Sequence, residues 1–197
     1  MLQMKTEIDL SFAEYLDIKN KTNNQITIGD RYPFADAILK DEFENSRNDL
    51  SQIYKKVVLL NALYSTNIYS TFDVAILISK IENFKLRVKN SDLTLVDEIR
   101  KNKISGKDKD FYSFATKYCH HHNPNCFPIY DSFVEKSLLY YFKIDLIKEK
   151  IAKNQLKEYA YFKSKLDLLI LNWRLPSDYI YMKVDKFLWK KGKELNK

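Results

Sequence analysis

The sequence predicts an all-α protein, and three observations carry that expectation. Glycine and proline are scarce, 3 and 4 among 197 residues, too few for the tight turns of a sandwich or barrel. Long segments rich in Lys, Glu, Leu and Ile favour helix over strand. Apolar residues recur at helical spacing, most clearly in SQIYKKVVLLNALY, where Ile53, Val57, Leu60, Ala62 and Leu63 are spaced for burial. The expected architecture is a single domain over 1–197, a bundle of roughly eight to ten helices with room for two lobes and a cleft. A hydrophobic share of 45% can supply its core.

In order, a first helix is expected over Phe12–Lys19, then a polar loop, KNKTNNQ, and a short β-like run, ITIGDRYPF. Ala35–Arg47 reads as a helix with Ala37, Ile38 and Phe43 apolar. Ser51 is placed to cap the apolar helix that ends at Tyr64. Tyr64, Ser65, Thr66, Asn67 and Ile68 interrupt it, either as a plain connection or as small and amide groups facing a ligand. Thr71–Ile81 restarts the helical pattern. Within 82–110 one short helix, Leu93–Lys101, precedes a basic loop, KNKISGKDKD. With Gly106 at its middle, that loop is either a connector or a phosphate cradle ahead of the next helix. Phe111–His121 sets Phe111, Phe114, Ala115 and Tyr118 on one face, HNPNCFP turns, and Asp131–Phe142 follows. Helices over Leu146–Lys153 and Leu156–Leu171, a break at NWRLPSD, and a basic helix Tyr179–Lys193 carrying Trp189 complete the reading.

The formal charge of +7 suits an anionic partner, nucleic acid before membrane surface. Two cysteines argue against a disulfide scaffold and fit a reducing cytosol. MLQMKTEIDLSF has no apolar signal region, and no run approaches the length of a membrane span, so a cytoplasmic location away from membrane is expected.

Lys107–Lys136 concentrates the chemistry: all three histidines and both cysteines fall there. Cys119, His120, His121, His122 and Cys126 invite a zinc reading. Consecutive helical histidines point about 100° apart, however, and no partner pair with finger spacing occurs, so no metal is expected. There is no Gly-rich phosphate loop, no HExxH and no serine elbow. What remains is a carboxylate. Asp131 follows the apolar run Phe127, Pro128, Ile129, Tyr130 and opens a helical pattern. It is either an N-cap alone or a shielded and tuned functional group.

Two segments together resemble the helix-hairpin-helix DNA glycosylase superfamily, in particular its 8-oxoguanine glycosylase-fold branch. VVLLNALYSTN, Val57–Asn67, is similar to the apolar helix whose polar end approaches the gap left by an extruded base. FATKYCHHHNPNCFPIYDSFV is similar to the helix after the family's hairpin, followed by a Pro-Val-Asp-Thr-His-Val type segment that carries the essential aspartate. Pro128 to Val134 matches that segment with one extra residue before the acid, which places the aspartate at Asp131. The resemblance covers about half the chain, in the family's order. The Leu-Pro-Gly-Val-Gly hairpin is absent as such, with Ile104-Ser105-Gly106 as its nearest counterpart.

The resemblance implies a DNA N-glycosylase acting in repair, or in defence against modified phage DNA, as a monomer on double-stranded DNA without a cofactor. Asp131 would stabilise the oxocarbenium-like transition state. Bifunctional members place a lysine nucleophile roughly five helical turns of sequence before the acid. Here those positions fall near Tyr112 and Ser113, with Lys109 and Lys117 to either side, which favours a monofunctional enzyme. Tyr64, Ser65, Thr66, Asn67 and Tyr130 would line the base pocket or fill the gap, joined by Tyr118, Trp173 and Trp189. Gly106, Lys107, His120 and His122 would contact phosphate. The rival expectations are a non-catalytic nucleic-acid-binding or phage-defence protein that retains the fold, and a helical interaction protein.

Overall fold

The computed structural model describes residues 31–45, 47–104, 106–144, 149–173 and 180–196. Among them are nine α-helices, one 3-10 turn and a two-stranded ribbon, so the all-α expectation holds. The expected helix Phe12–Lys19, the KNKTNNQ loop, residues 174–178 of the NWRLPSD break and Tyr179 lie outside the described residues.

Helix α1, Arg31–Asn45, begins inside the stretch expected to be β-like. Pro33 does not prevent this, because a first-turn amide has no intrahelical acceptor to lose. Helix α2, Leu50–Tyr64, is capped by Asp49, whose carboxylate accepts from Gln52 N–H at 3.1 Å, rather than by Ser51. It buries Ile53, Lys56, Val57 and Leu60 and ends at Ser65 in the left-handed region. Helix α3 spans Thr71–Ser79. Helix α4, Phe84–Lys89, was not signalled by its charged sequence; burial of Phe84 and Val88 makes it. Helix α5 is Thr94–Arg100.

The basic stretch after α5 is not a loop. Strands β1, Lys101–Ile104, and β2, Lys107–Asp110, pair antiparallel with Lys101 opposite Asp110 and Ile104 opposite Lys107. Lysine and aspartate are poor strand formers, so tertiary anchors fix the ribbon. Arg100 grips Asp110 through two guanidinium nitrogens and also donates to the Lys157 carbonyl. Asn102 donates to the Ile99 carbonyl at 2.7 Å. Gly106 takes φ +75 in the turn, a conformation L side chains resist.

Helix α6, Tyr112–His122, runs through the centre and buries residues on every side, including Phe114, Ala115, Thr116, Lys117, Tyr118, Cys119 and His120. Helix α7, Ser132–Ile144, follows the turn. Of the helix expected over Leu146–Lys153, residues 149–152 are not helical, and a 3-10 turn occupies Lys153–Lys157. Helices α8, Tyr159–Trp173, and α9, Ile180–Glu194, close the order. One contiguous core runs from Leu39 to Leu188. Helix α9 lies against α7 so closely that a Cβ at Gly192 would stand 2.2 Å from the Phe133 carbonyl oxygen.

Candidate functional site

Helix α6 builds the site by holding the segment that follows it. Thr116 and His120, one turn apart on the same face, both grip this returning segment. The Tyr130 N–H donates to Thr116 Oγ1 at 3.1 Å. His120 Nδ1 lies 2.7 Å from the Phe127 carbonyl oxygen; since a carbonyl only accepts, Nδ1 carries the proton. From the other side the Tyr159 hydroxyl donates to the Pro128 carbonyl at 2.9 Å. The segment ends at Asp131, whose Oδ1 accepts from Phe133 N–H at 2.9 Å and Val134 N–H at 2.8 Å. Asp131 is thus the N-cap of α7, and α6 fixes where that cap stands.

Lys117, next to Thr116, is only 4% exposed. Its ammonium donates to Ser113 Oγ at 2.6 Å and lies 5.5 Å from the centre of the Tyr64 ring. Burial lowers its pKa below the ordinary lysine value, opposed by the carboxylates of Asp131 and then Asp185. Asp185 projects from α9. Its Oδ1 is sealed from solvent and has no hydrogen-bond partner among the described residues. Burial raises the Asp185 pKa well above the carboxylate range, reinforced by Asp131 and opposed by Lys117 and Lys186. Lys186 pairs with Asp36 of α1, and the Tyr64 hydroxyl points to Asp36 at 3.4 Å. Five helices, α1, α2, α6, α7 and α9, therefore supply a sealed amine, three carboxylates and a phenol. Burial thus works against the charged form of both the Lys117 amine and the Asp185 carboxyl, each of which the other's charge favours.

Several expected site residues stand elsewhere. His120 is 3% exposed and held neutral, its pKa lowered by burial to about 4. Its Nδ1–H is committed to the Phe127 carbonyl and its ring is neutral, so it positions Asp131 rather than offering phosphate a charge. His122 packs against the rings of Phe43, Phe84 and Tyr118, with Nε2 sealed, and burial lowers its pKa well below the usual value. Lys109 and Lys107 are exposed on β2, where Lys109 faces Asn102 across the ribbon. Gly106 sits at the ribbon's tip, a whole strand away from the α6 N-terminus that was to receive phosphate. Tyr130 is buried against Tyr112, its hydroxyl on Glu135 and the Lys157 ammonium 4.5 Å from its ring centre. Tyr118 is core. Trp173 packs on Tyr141 and Phe187, and Trp189 on Phe133. Cys119 is buried and its thiol pKa raised, so it offers no thiolate. Among the described residues no three His, Cys, Asp or Glu side chains converge as metal ligands.

Ser65 and Asn67 are exposed and left-handed, and the Thr66 hydroxyl donates to Asn61 Oδ1 at 2.9 Å. Asn61, Asp36 and Asp185 were missed. Asp185 had one signal, as the sole carboxylate in α9 before Glu194. Surface depressions of about 520 Å³, beside Leu77, Arg87 and Glu98, and about 420 Å³, at the ribbon, include neither Asp131 nor Lys117.

Fold and site define an all-α protein with a buried lysine–carboxylate cluster where α1, α6, α7 and α9 meet. Residues 12–126 match the family model HI_0787_N, an N-terminal domain. The chain is 38% identical over 195 residues to an uncharacterized protein of Haemophilus influenzae, spanning 96% of this chain and 91% of that one. It belongs to this family. No solved structure matches. The matched segment ends at Cys126, so it contains Lys117 but neither Asp131 nor Asp185. No described helix is long and apolar enough to cross a membrane.

Proposed function

We propose that the protein is a DNA N-glycosylase that removes a damaged or modified base. The reading rests on one juxtaposition: Lys117, a sealed amine, lies within Coulombic range of Asp131, a carboxylate fixed at a helix N-terminus. Cleavage of an N-glycosidic bond builds positive charge on the deoxyribose, and a fixed carboxylate stabilises it without reorganising. Asp131 fills that role and orients the attacking water. The depressed basicity of Lys117 keeps part of it neutral, which an amine needs before it can attack the aldehyde of the abasic sugar and lose water to form an imine. The sequence favoured a monofunctional enzyme because no lysine stood at the matching position. Burial of Lys117 beside Asp131 supports a lyase step as well, with Lys117 rather than Lys109 as the nucleophile.

The test is incubation with oxidised, alkylated and hypermodified phage DNA, with strand breaks read before and after alkali. Breaks without alkali, together with a borohydride-trapped adduct, are expected. Breaks only after alkali would keep the glycosylase and remove the lyase step. No breaks on any substrate would overturn the proposal.

A further inference from the structure

Of the nine exposed large apolar side chains among the described residues, five gather on the outer side of α2 and α3. Leu50, Tyr54 and Val58 recur every four residues along α2, on one side of the helix, each 38% to 39% exposed. Phe72 of α3, half-exposed, meets Tyr54 edge to face with ring centres 5.3 Å apart. Tyr69, in the connection between the helices, is 97% exposed. Its place is fixed from both ends. Asn61 of α2 holds Ile68, accepting from its N–H and donating to its carbonyl, each at 2.9 Å. Three residues beyond Tyr69, Phe72 is pinned at Tyr54. The connection therefore runs back along α2 from Asn61 towards Tyr54, and Tyr69 stands beside the stretch that carries Val58. Apolar area left in water contributes nothing to folding.

The size of this patch can be set against what a pair of copies needs. A fully covered Phe or Tyr buries about 150–250 Å². At their exposures the three rings leave roughly 300–450 Å² in water, before Leu50 and Val58 are added. Two copies joined here would bury roughly 600–900 Å² of apolar surface, and homodimer contacts are about 65% apolar. The whole contact then covers roughly 900–1,400 Å², which reaches the ~1,000 Å² of a specific interface. Shape selects a second copy over an unrelated partner. The patch holds both a protruding ring, Tyr69, and a half-recessed stripe, Leu50 to Val58, so a two-fold axis seats each Tyr69 on the other copy's stripe. Lys55 and Asp73, the chain neighbours of Tyr54 and Phe72, are exposed and opposite in sign, and Lys55 also pairs with Glu42. A rim carrying both signs does not repel its own copy. We infer that the chain forms a two-fold dimer through the α2–α3 face, with Tyr69 as its anchor. The resemblance implied a monomer, which would leave this face in water. Pairing of this kind is independent of the reaction proposed above.

Sedimentation velocity over a range of protein and salt concentrations provides the test. The wild type should run as a monomer–dimer equilibrium. Added NaCl should strengthen the dimer, because each copy carries a formal charge of +7 and salt screens their repulsion. Tyr69→Asp and Val58→Lys should each raise the dimer dissociation constant by roughly 100-fold or more, as an anchor lost from both copies does. Both side chains are exposed, so each variant should keep the wild-type melting temperature. Mixing the two variants should restore a dimer, since one contact then pairs Asp with Lys while the other keeps Tyr69 on Val58. Leu171→Asp, an exposed position on α8 rather than on α2 or α3, should leave the equilibrium unchanged. A wild type that stays monomeric to high micromolar concentration would overturn the dimer, as would one that Tyr69→Asp leaves intact. A mixture that stays monomeric would overturn the seating of Tyr69 on the stripe.

Discussion

Lys117 on α6 and Lys56 on α2 are both lysines shut away from water, yet what faces them differs in kind. Lys117 meets a hydroxyl at 2.6 Å and two carboxylates, one of them fixed by helix capping. Lys56 has its ammonium 5.1 Å over the Phe43 ring, with no hydrogen-bond partner among the described residues. Its pKa is lowered to about 8, chiefly by burial and then by Lys85, with Glu42 opposing. Glu42 already pairs with Lys55. Burial alone thus tunes an amine without making a site. A site needs, in addition, a group placed to answer the charge that the reaction develops.

Substitution at the two lysines separates these roles most sharply. Lys117→Met should abolish the borohydride-trapped adduct, a loss of roughly 10³-fold or more, whereas Lys56→Met should leave adduct yield at the wild-type level. Equal yields from both variants would erase the distinction. Asp131→Asn should lower base release by roughly 10²- to 10³-fold, the usual cost of removing a preorganised electrostatic partner. Asparagine also caps helices well, so the melting temperature of that variant should stay close to wild type.

Stability should order the lysines the other way. Lys56 binds its proton less tightly folded than unfolded, so below about pH 8 the native state carries a penalty that is relieved as pH rises towards 10.5. The gap between those values corresponds to about 3 kcal/mol. Lys56→Met should therefore be more stable than wild type at pH 7 by up to about that amount, with the advantage shrinking between pH 8 and 10.5. Urea unfolding at several pH values checks this, and a destabilised Lys56→Met would show the buried amine to be satisfied.

A smaller effect is expected from Gly192→Ala. Its Cβ would press on the Phe133 backbone and push α9 from α7 at a cost of about 1–3 kcal/mol. Because α9 carries Asp185 and Lys186, adduct formation at Lys117 should fall with it. Retained activity at full stability would mean that the two helices yield more easily than their contact suggests.

The helices were legible because burial imposes a period of 3.6 residues on apolar side chains, and α2 displays it plainly. The ribbon was not legible, since nothing in KNKISGKDKD favours strand; it depends on Arg100 reaching Asp110 and Lys157. Asp131 could be read as a cap from its neighbours alone. Its partners could not. Asp185 lies 54 residues further along the chain and meets it only when α9 docks. His120 looked like a polar group available to phosphate because sequence shows residue type and not which side of a central helix faces the segment 127–130.

The ion pair between Asp36 and Lys186 joins residues 150 positions apart. A cluster closed by so distant a contact forms late, after loop-closure entropy has been overcome. Until then Lys117 is an ordinary solvated lysine, fully protonated at neutral pH. The lowered basicity of Lys117 is thus a property of the finished fold, absent from a partly folded chain.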